Sequence, residues 1–162
     1  MKYNLQRYID GYELDYEIAL LDAQRLCAIA EEAGKKYNVT YLPSDFKKKE
    51  GYKRSHWMWY LFPQLKGLGE SSISNYYGLE NIEEAKEFLN NDYLKERLLK
   101  LCRQLLYLDD DIENIFGYPD NLKLKSSMTI FSLADPNEKI FKDVLNKFYY
   151  GELDDLTLNL LK

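Results

Sequence analysis

Apolar residues recur at helical spacing along most of the chain. In residues 15–33 they can share one broad face, and Gly34 follows as a helix stop. Residues 35–54 lose this periodicity and carry seven lysines and arginines but few apolar positions. The pattern therefore predicts a helix followed by a long basic loop around residues 35–54.

Two further helices are predicted between residues 81 and 108. Asn81 and Glu84 have the spacing of a capping box, and Asp92 is a candidate cap for the next helix. The second helix carries leucines at alternating steps of four and three, namely Leu94, Leu98, Leu101, Leu105 and Leu108. Because this seam spans barely two heptads, it favours a packed core helix over a partner-binding zipper.

The last third of the chain is also helical in pattern. Asp135 and Glu138 form a second capping-box spacing with Pro136 at the first helical position, and residues 154–161 read as a short final helix. Residues 122–131 alternate as a strand would, yet three of their apolar residues also share a helix face. We expect a helix that starts near Pro119, because the chain offers no convincing partner strand.

The patterns together predict an all-α fold, a compact multihelical bundle in which residues 1–162 form a single domain. A length of 162 residues suffices to bury a core without metals or disulfides. Cys27 and Cys102 are far apart in helix-like surroundings, so we expect small buried side chains rather than a metal site or a disulfide. The patterns point to no cofactor.

The net charge of −5 argues against general nucleic-acid binding and against anionic membranes. The first residues do not form a long apolar run, and none of the chain has the apolar length of a membrane span. We therefore expect a cytoplasmic protein with no membrane association.

The scarcest side chains are concentrated in one block. His56 is the only histidine, Trp57 and Trp59 are the only tryptophans, and Gln64 follows Pro63 at an expected turn. Imidazole can exchange a proton near neutral pH, an indole can stack on a base, and an amide can read a polar edge. Each of these side chains would equally suit a role in packing or in capping the backbone.

A second block offers two cations and two hydroxyls within five positions: Lys123, Lys125, Ser126 and Ser127. This composition suits the binding of phosphate or carboxylate. On a helix, Lys123 shares a face with Ser126 and Ser127. An exposed helix face with tolerated small serines is the alternative interpretation.

These blocks resemble the conserved segments of a bacterial family of unknown function, domain of unknown function 1810, whose members sometimes carry the label calpastatin. The resemblance rests on residues 54–59, 62–65, 67–69, 115–117 with Asp120, and 123–131. It implies a compact multihelical fold and no established activity, substrate or cofactor. The chain differs from the family pattern by a longer segment between residues 22 and 53.

A weaker resemblance links residues 84–106 and 116–131 to NADAR domains, which are associated with NAD and ADP-ribose chemistry. No segment matches their catalytic glutamate block, so the resemblance suggests a ligand class and transfers no catalytic residue.

We expect the two blocks to face each other and to recognise, or also hydrolyse, an anionic, phosphate-bearing nucleotide-like molecule such as an ADP-ribose or NAD derivative. His56 is the catalytic candidate. The ligand-binding candidates are Arg54, Ser55, Trp57, Trp59, Gln64, Asp120, Lys123, Lys125, Ser126 and Ser127. The alternative is a non-catalytic helical protein-interaction module with an exposed aromatic surface.

Overall fold

The computed structural model of the chain describes residues 3–17, 19, 57–108 and 110–162. The helix predicted over residues 15–33 lies mostly outside these residues, and so do the basic loop, His56 and Cys27. In the described part α1 covers residues 6–17. Eight more helices follow it: α2 Met58–Leu61, α3 Ser72–Tyr77, α4 Ile82–Asn90, α5 Asp92–Tyr107, α6 Ile112–Phe116, α7 Asp120–Ala134, α8 Ile140–Tyr149 and α9 Asp155–Leu160.

The described elements confirm the predicted all-α class. The only β-type pairing among the described residues is an isolated parallel bridge between Leu65 and Leu79. No helix of the described ranges combines the length and apolar character that a membrane crossing needs.

Helix α7 is the centre of the packing, with α2, α4, α6, α8 and α9 arranged against it. This is the segment whose alternation also permitted a strand. Its buried hydroxyls are compatible with a helix because several of them donate to carbonyls of the preceding turn. Ser126 donates to Leu122 and Thr129 donates to Lys125, at 3.2 and 2.8 Å. The prediction of a helix starting near Pro119 is confirmed, since α7 begins at Asp120.

The leucine seam of α5 is buried as predicted. Leu94, Leu98, Leu101, Leu105 and Leu108 lie in the same hydrophobic core as Phe141 of α8. Helix α5 packs against α4 and α8, so the seam fills the interior of the bundle.

The predicted helix starts are partly right. Asn81 caps α4 through a 2.9 Å bond from the Glu84 amide. The carboxylate of Glu84, however, accepts from the Glu80 amide at 2.8 Å, one residue before the cap. Helix α5 is capped by Asn91, which accepts from the Leu94 amide at 3.1 Å, so Asp92 is its first helical residue rather than its cap.

The capping box predicted at Asp135 and Glu138 is wrong. Asp135 is the C-terminal cap of α7, and its side chain accepts from the Asn137 amide at 3.2 Å. These contacts make a turn, and α8 starts only at Ile140. The final helix is confirmed, with Asp154 as its cap.

Candidate functional site

The two tryptophans lie on either side of the start of α2 and have different environments. Trp57 is buried in the core, with its ring centroid 6.1 Å from Phe62 and 5.6 Å from Phe116. Trp59 is only half-buried. Residues two apart on a helix point in different directions, which explains the divergence. Trp59 is therefore the more exposed of the two indoles.

Lys123 of α7 lies over Trp59. Its Nζ is 5.0 Å from the ring centroid and 3.3 Å from Oδ1 of Asp120. About three quarters of the Lys123 side chain is removed from solvent, with a relative exposure of 25%. A cation held against an aromatic face while partly desolvated interacts more strongly than one in open solvent.

Ser127 follows Lys123 by one helical turn and shares its face of α7. The Ser127 side chain is fully buried, and its Oγ has no hydrogen-bond partner in the described structure. A buried hydroxyl without a partner costs free energy, so such an atom calls for an explanation. We refer to Trp59, Asp120 and Lys123, which are joined by the contacts of the Lys123 ammonium group, as the Trp59 cluster.

Lys125 and Ser126 do not join this cluster. The Nζ of Lys125 is 3.7 Å from the Glu152 carboxylate and 5.9 Å from the ring centroid of Tyr149. Ser126 donates to Oδ2 of Asp154 at 3.0 Å, next to the start of α9. The second sequence block is thus divided between two faces of α7. Lys125 and Ser126 each already contact a carboxylate, that of Glu152 and that of Asp154 respectively.

Gln64 lies in the connection after α2. Its carbonyl accepts from the Leu79 amide at 2.8 Å, while its side-chain Nε2 lies near Gly69, at 3.8 Å from the position of a β-carbon there. The structure gives it no hydrogen bond to the Trp59 cluster. Arg54, Ser55 and His56 lie outside the described residues, so their assignments stay predictions from sequence.

One polar feature escaped the sequence reasoning altogether. Arg7 of α1 and Glu84 of α4 form a buried ion pair with 3.0 Å between Nη2 and Oε2. The Glu84 side chain is 1% exposed and that of Arg7 is 7% exposed. The capping-box spacing singled out Glu84, but the local sequence pattern does not show that Arg7, 77 residues earlier, is its partner.

The comparisons with known proteins agree with the fold. A family model described as "Protein of unknown function (DUF1810)" matches residues 35–161. A solved structure, that of the conserved hypothetical protein Rv1873 from Mycobacterium tuberculosis, is 33% identical, with a TM-score of 0.81. The alignment covers 99% of this chain and 98% of that one. The search of curated proteins gives no match. The chain therefore belongs to the DUF1810 family of proteins of unknown function.

Proposed function

We propose that the protein binds a phosphate-bearing, nucleotide-like small molecule at the Trp59 cluster. In this proposal Trp59 stacks on the base and Lys123 contacts a phosphate oxygen. If the ligand is hydrolysed, the sequence offers His56 as the group that exchanges a proton.

The observation that carries the proposal is the Lys123 ammonium group, which lies 5.0 Å from the ring centroid of the half-buried Trp59. Stacking on an aromatic side chain and charge-assisted hydrogen bonding are the two interactions that nucleotide ligands use most.

Asp120 sets the electrostatics of the cluster. Its carboxylate lies beside the Lys123 ammonium group, so these two residues together carry no net charge. The carboxylate reduces the attraction of the cluster for a free anion. A ligand that combines an aromatic base with a phosphate fits this arrangement better than inorganic phosphate does, because stacking supplies affinity that the charge alone would not.

A thermal-shift screen against AMP, ADP, NAD, ADP-ribose, adenosine and inorganic phosphate tests the proposal. A ligand at a hundred times its dissociation constant stabilises the native state by about 2.7 kcal/mol. We expect stabilisation by at least one phosphorylated nucleoside and smaller effects of adenosine and phosphate. No stabilisation by any nucleotide, or an equal effect on a Trp59→Leu variant, would contradict the proposal.

The alternative of a protein-interaction module has less support among the described residues. The exposed tyrosines Tyr76, Tyr107, Tyr118 and Tyr150 lie on separate elements, and no ring contact joins them to one another. A continuous aromatic surface, which that function would need, is not formed by these four rings.

A further inference from the structure

A cavity lies between the start of α1 and the segment that links α3 to α4. It has a volume of about 500 Å³, and its lining includes Arg7, Lys66, Asn75, Tyr76 and Glu84. This volume is in the range of small-molecule sites. The cavity shares no residue with the Trp59 cluster.

The buried Arg7–Glu84 pair forms a fixed polar base for this cavity. Arg7 also donates to the carbonyls of Tyr76 and Gly78, at 3.0 and 3.2 Å. Glu84 accepts from the Glu80 amide at 2.8 Å. These bonds hold the backbone of residues 76–80 against α1, so the cavity is pre-formed and a ligand would not have to order it.

Three exposed asparagines surround the base: Asn4, Asn75 and Asn81. Asn81 uses its Oδ1 twice, for the Glu84 amide and for the Tyr3 hydroxyl at 3.1 Å. Its amide NH₂ group and the side chains of Asn4 and Asn75 make no hydrogen bond within the described structure. An amide presents a donor and an acceptor side by side, which matches a hydroxyl that both donates and accepts.

The charges of the cavity cancel. Arg7 pairs with Glu84, and at the rim Lys66 lies 3.3 Å from Glu80. The lining therefore offers a charged ligand no uncompensated counter-charge, whereas a neutral ligand needs none. Tyr76, which is 55% exposed, adds an aromatic ring on which the C–H face of a ligand can pack.

We infer that this cavity binds a neutral polyhydroxylated molecule of the sugar class, independently of the nucleotide-binding function proposed above. The paired charges disfavour a strongly anionic ligand. The asparagine amides form hydrogen bonds with the hydroxyls, and the Tyr76 ring contacts the apolar face of the sugar.

Amide chemical shifts recorded during titration of the full chain with D-ribose, D-glucose and D-galactose test this inference. The titrations extend to about 50 mM, which reveals even a millimolar complex. At least one sugar should shift the amides of residues 75–84. The absence of such shifts with all three sugars would overturn the inference, and so would shifts confined to other regions.

Exposed variants separate binding from folding. Asn75→Ala should weaken sugar binding about fivefold through loss of a hydrogen bond, and Tyr76→Ala should weaken it by at least as much. Tyr107→Ala is the matched control, since Tyr107 is also 55% exposed but lies on α5. Equal losses in the Tyr76 and Tyr107 variants would overturn the assignment.

Two further measurements distinguish this cavity from the Trp59 cluster and test whether its ligand is neutral. Lys123→Met should leave sugar binding unchanged whether or not nucleotides bind at Trp59. Ribose 5-phosphate should bind no more tightly than ribose, and tenfold tighter binding would refute the neutral class.

Discussion

Arg7 and Glu84 are charged residues that folding removes from water. Each has the other as its counter-ion, and neighbouring backbone groups complete their hydrogen bonds. Removal of one partner leaves the other charge buried, and that costs more than the pair contributes when intact.

We predict that Arg7→Met lowers the free energy of unfolding by about 3–5 kcal/mol, because it leaves the Glu84 carboxylate without a cation. Urea unfolding of the variant measures the loss. The double variant Arg7→Met with Glu84→Gln serves as the control and should recover part of the stability. A loss below about 1 kcal/mol in the single variant would show that water reaches the carboxylate.

Cys102 provides a second test at the scale of one residue. It is fully buried, with its Sγ 3.8 Å from the Sδ of Met128, and burial raises the pKa of its thiol well above the ordinary value. In a Cys27→Ser background, we predict that Cys102 reacts with a thiol reagent only at the rate of unfolding. Fast labelling of the native protein at neutral pH would contradict this burial.

Helix ends show which local signals determine an element. Asn81 caps its helix as the capping-box spacing predicts, whereas Asp92 is displaced as a cap by its neighbour Asn91. Both residues of the Asn91-Asp92 pair have a capping side chain. Asn91 has the extended backbone of a cap, with φ −86° and ψ 114°, whereas Asp92 is already helical, so the side chain of Asn91 is the one used.

We predict that Asn91→Ala costs about 1 kcal/mol of stability, because the Leu94 amide loses its acceptor. Asp92→Ala is the matched control. It removes a favourable charge near the positive end of α5 and should cost less, about 0.3–0.5 kcal/mol. Chemical denaturation of both variants compares them, and the reverse order would show that Asp92 provides the cap.

The amphipathic helices could be predicted from sequence because their apolar residues recur at the period of an α-helix, about 3.6 residues. Helix α7 was harder, since a helix that is buried on nearly all sides loses that period. The false helix start at Asp135 has a different origin. Asp and Pro favour a turn as much as a helix start, and the end of α7 fixes the turn there.

On the scale of the whole molecule, the described helices share one hydrophobic core. Leu101 of α5 is 3% exposed within it. We predict that Leu101→Ala lowers the stability by about 2–5 kcal/mol through lost burial and the resulting cavity. Leu156→Ala, on the exposed face of α9, should change it by less than about 0.5 kcal/mol. A loss below about 1 kcal/mol at Leu101 would place the seam outside the core.

The candidate site could be predicted only in part. The sequence identified Trp59 and Lys123 as chemically suited residues, since residue type is local information. It did not show that Lys123 lies over Trp59 while Lys125 pairs with Glu152, because those contacts depend on how α7 is rotated against its neighbours. The Arg7–Glu84 pair was missed because it is also a contact between distant elements, α1 and α4, that local sequence does not show.

The two lysines of α7 allow the most direct test of the proposed binding site. They have similar exposure, 25% and 22%, but only Lys123 belongs to the Trp59 cluster. Each is replaced by Met, which keeps most of the aliphatic stem and removes the charge. Binding of ADP-ribose to the wild type and both variants is then measured by calorimetry, with urea unfolding as a check on the fold.

Lys123→Met should weaken ADP-ribose binding by about 1.5–3 kcal/mol. It should also lower the stability of the ligand-free protein, because it removes the cation beside the largely buried Asp120 carboxylate. Lys125→Met should leave the affinity within about twofold of wild type, because its ammonium group faces Glu152. Equal losses of affinity in the two variants, or no ADP-ribose binding by the wild type, would contradict a nucleotide site at Trp59.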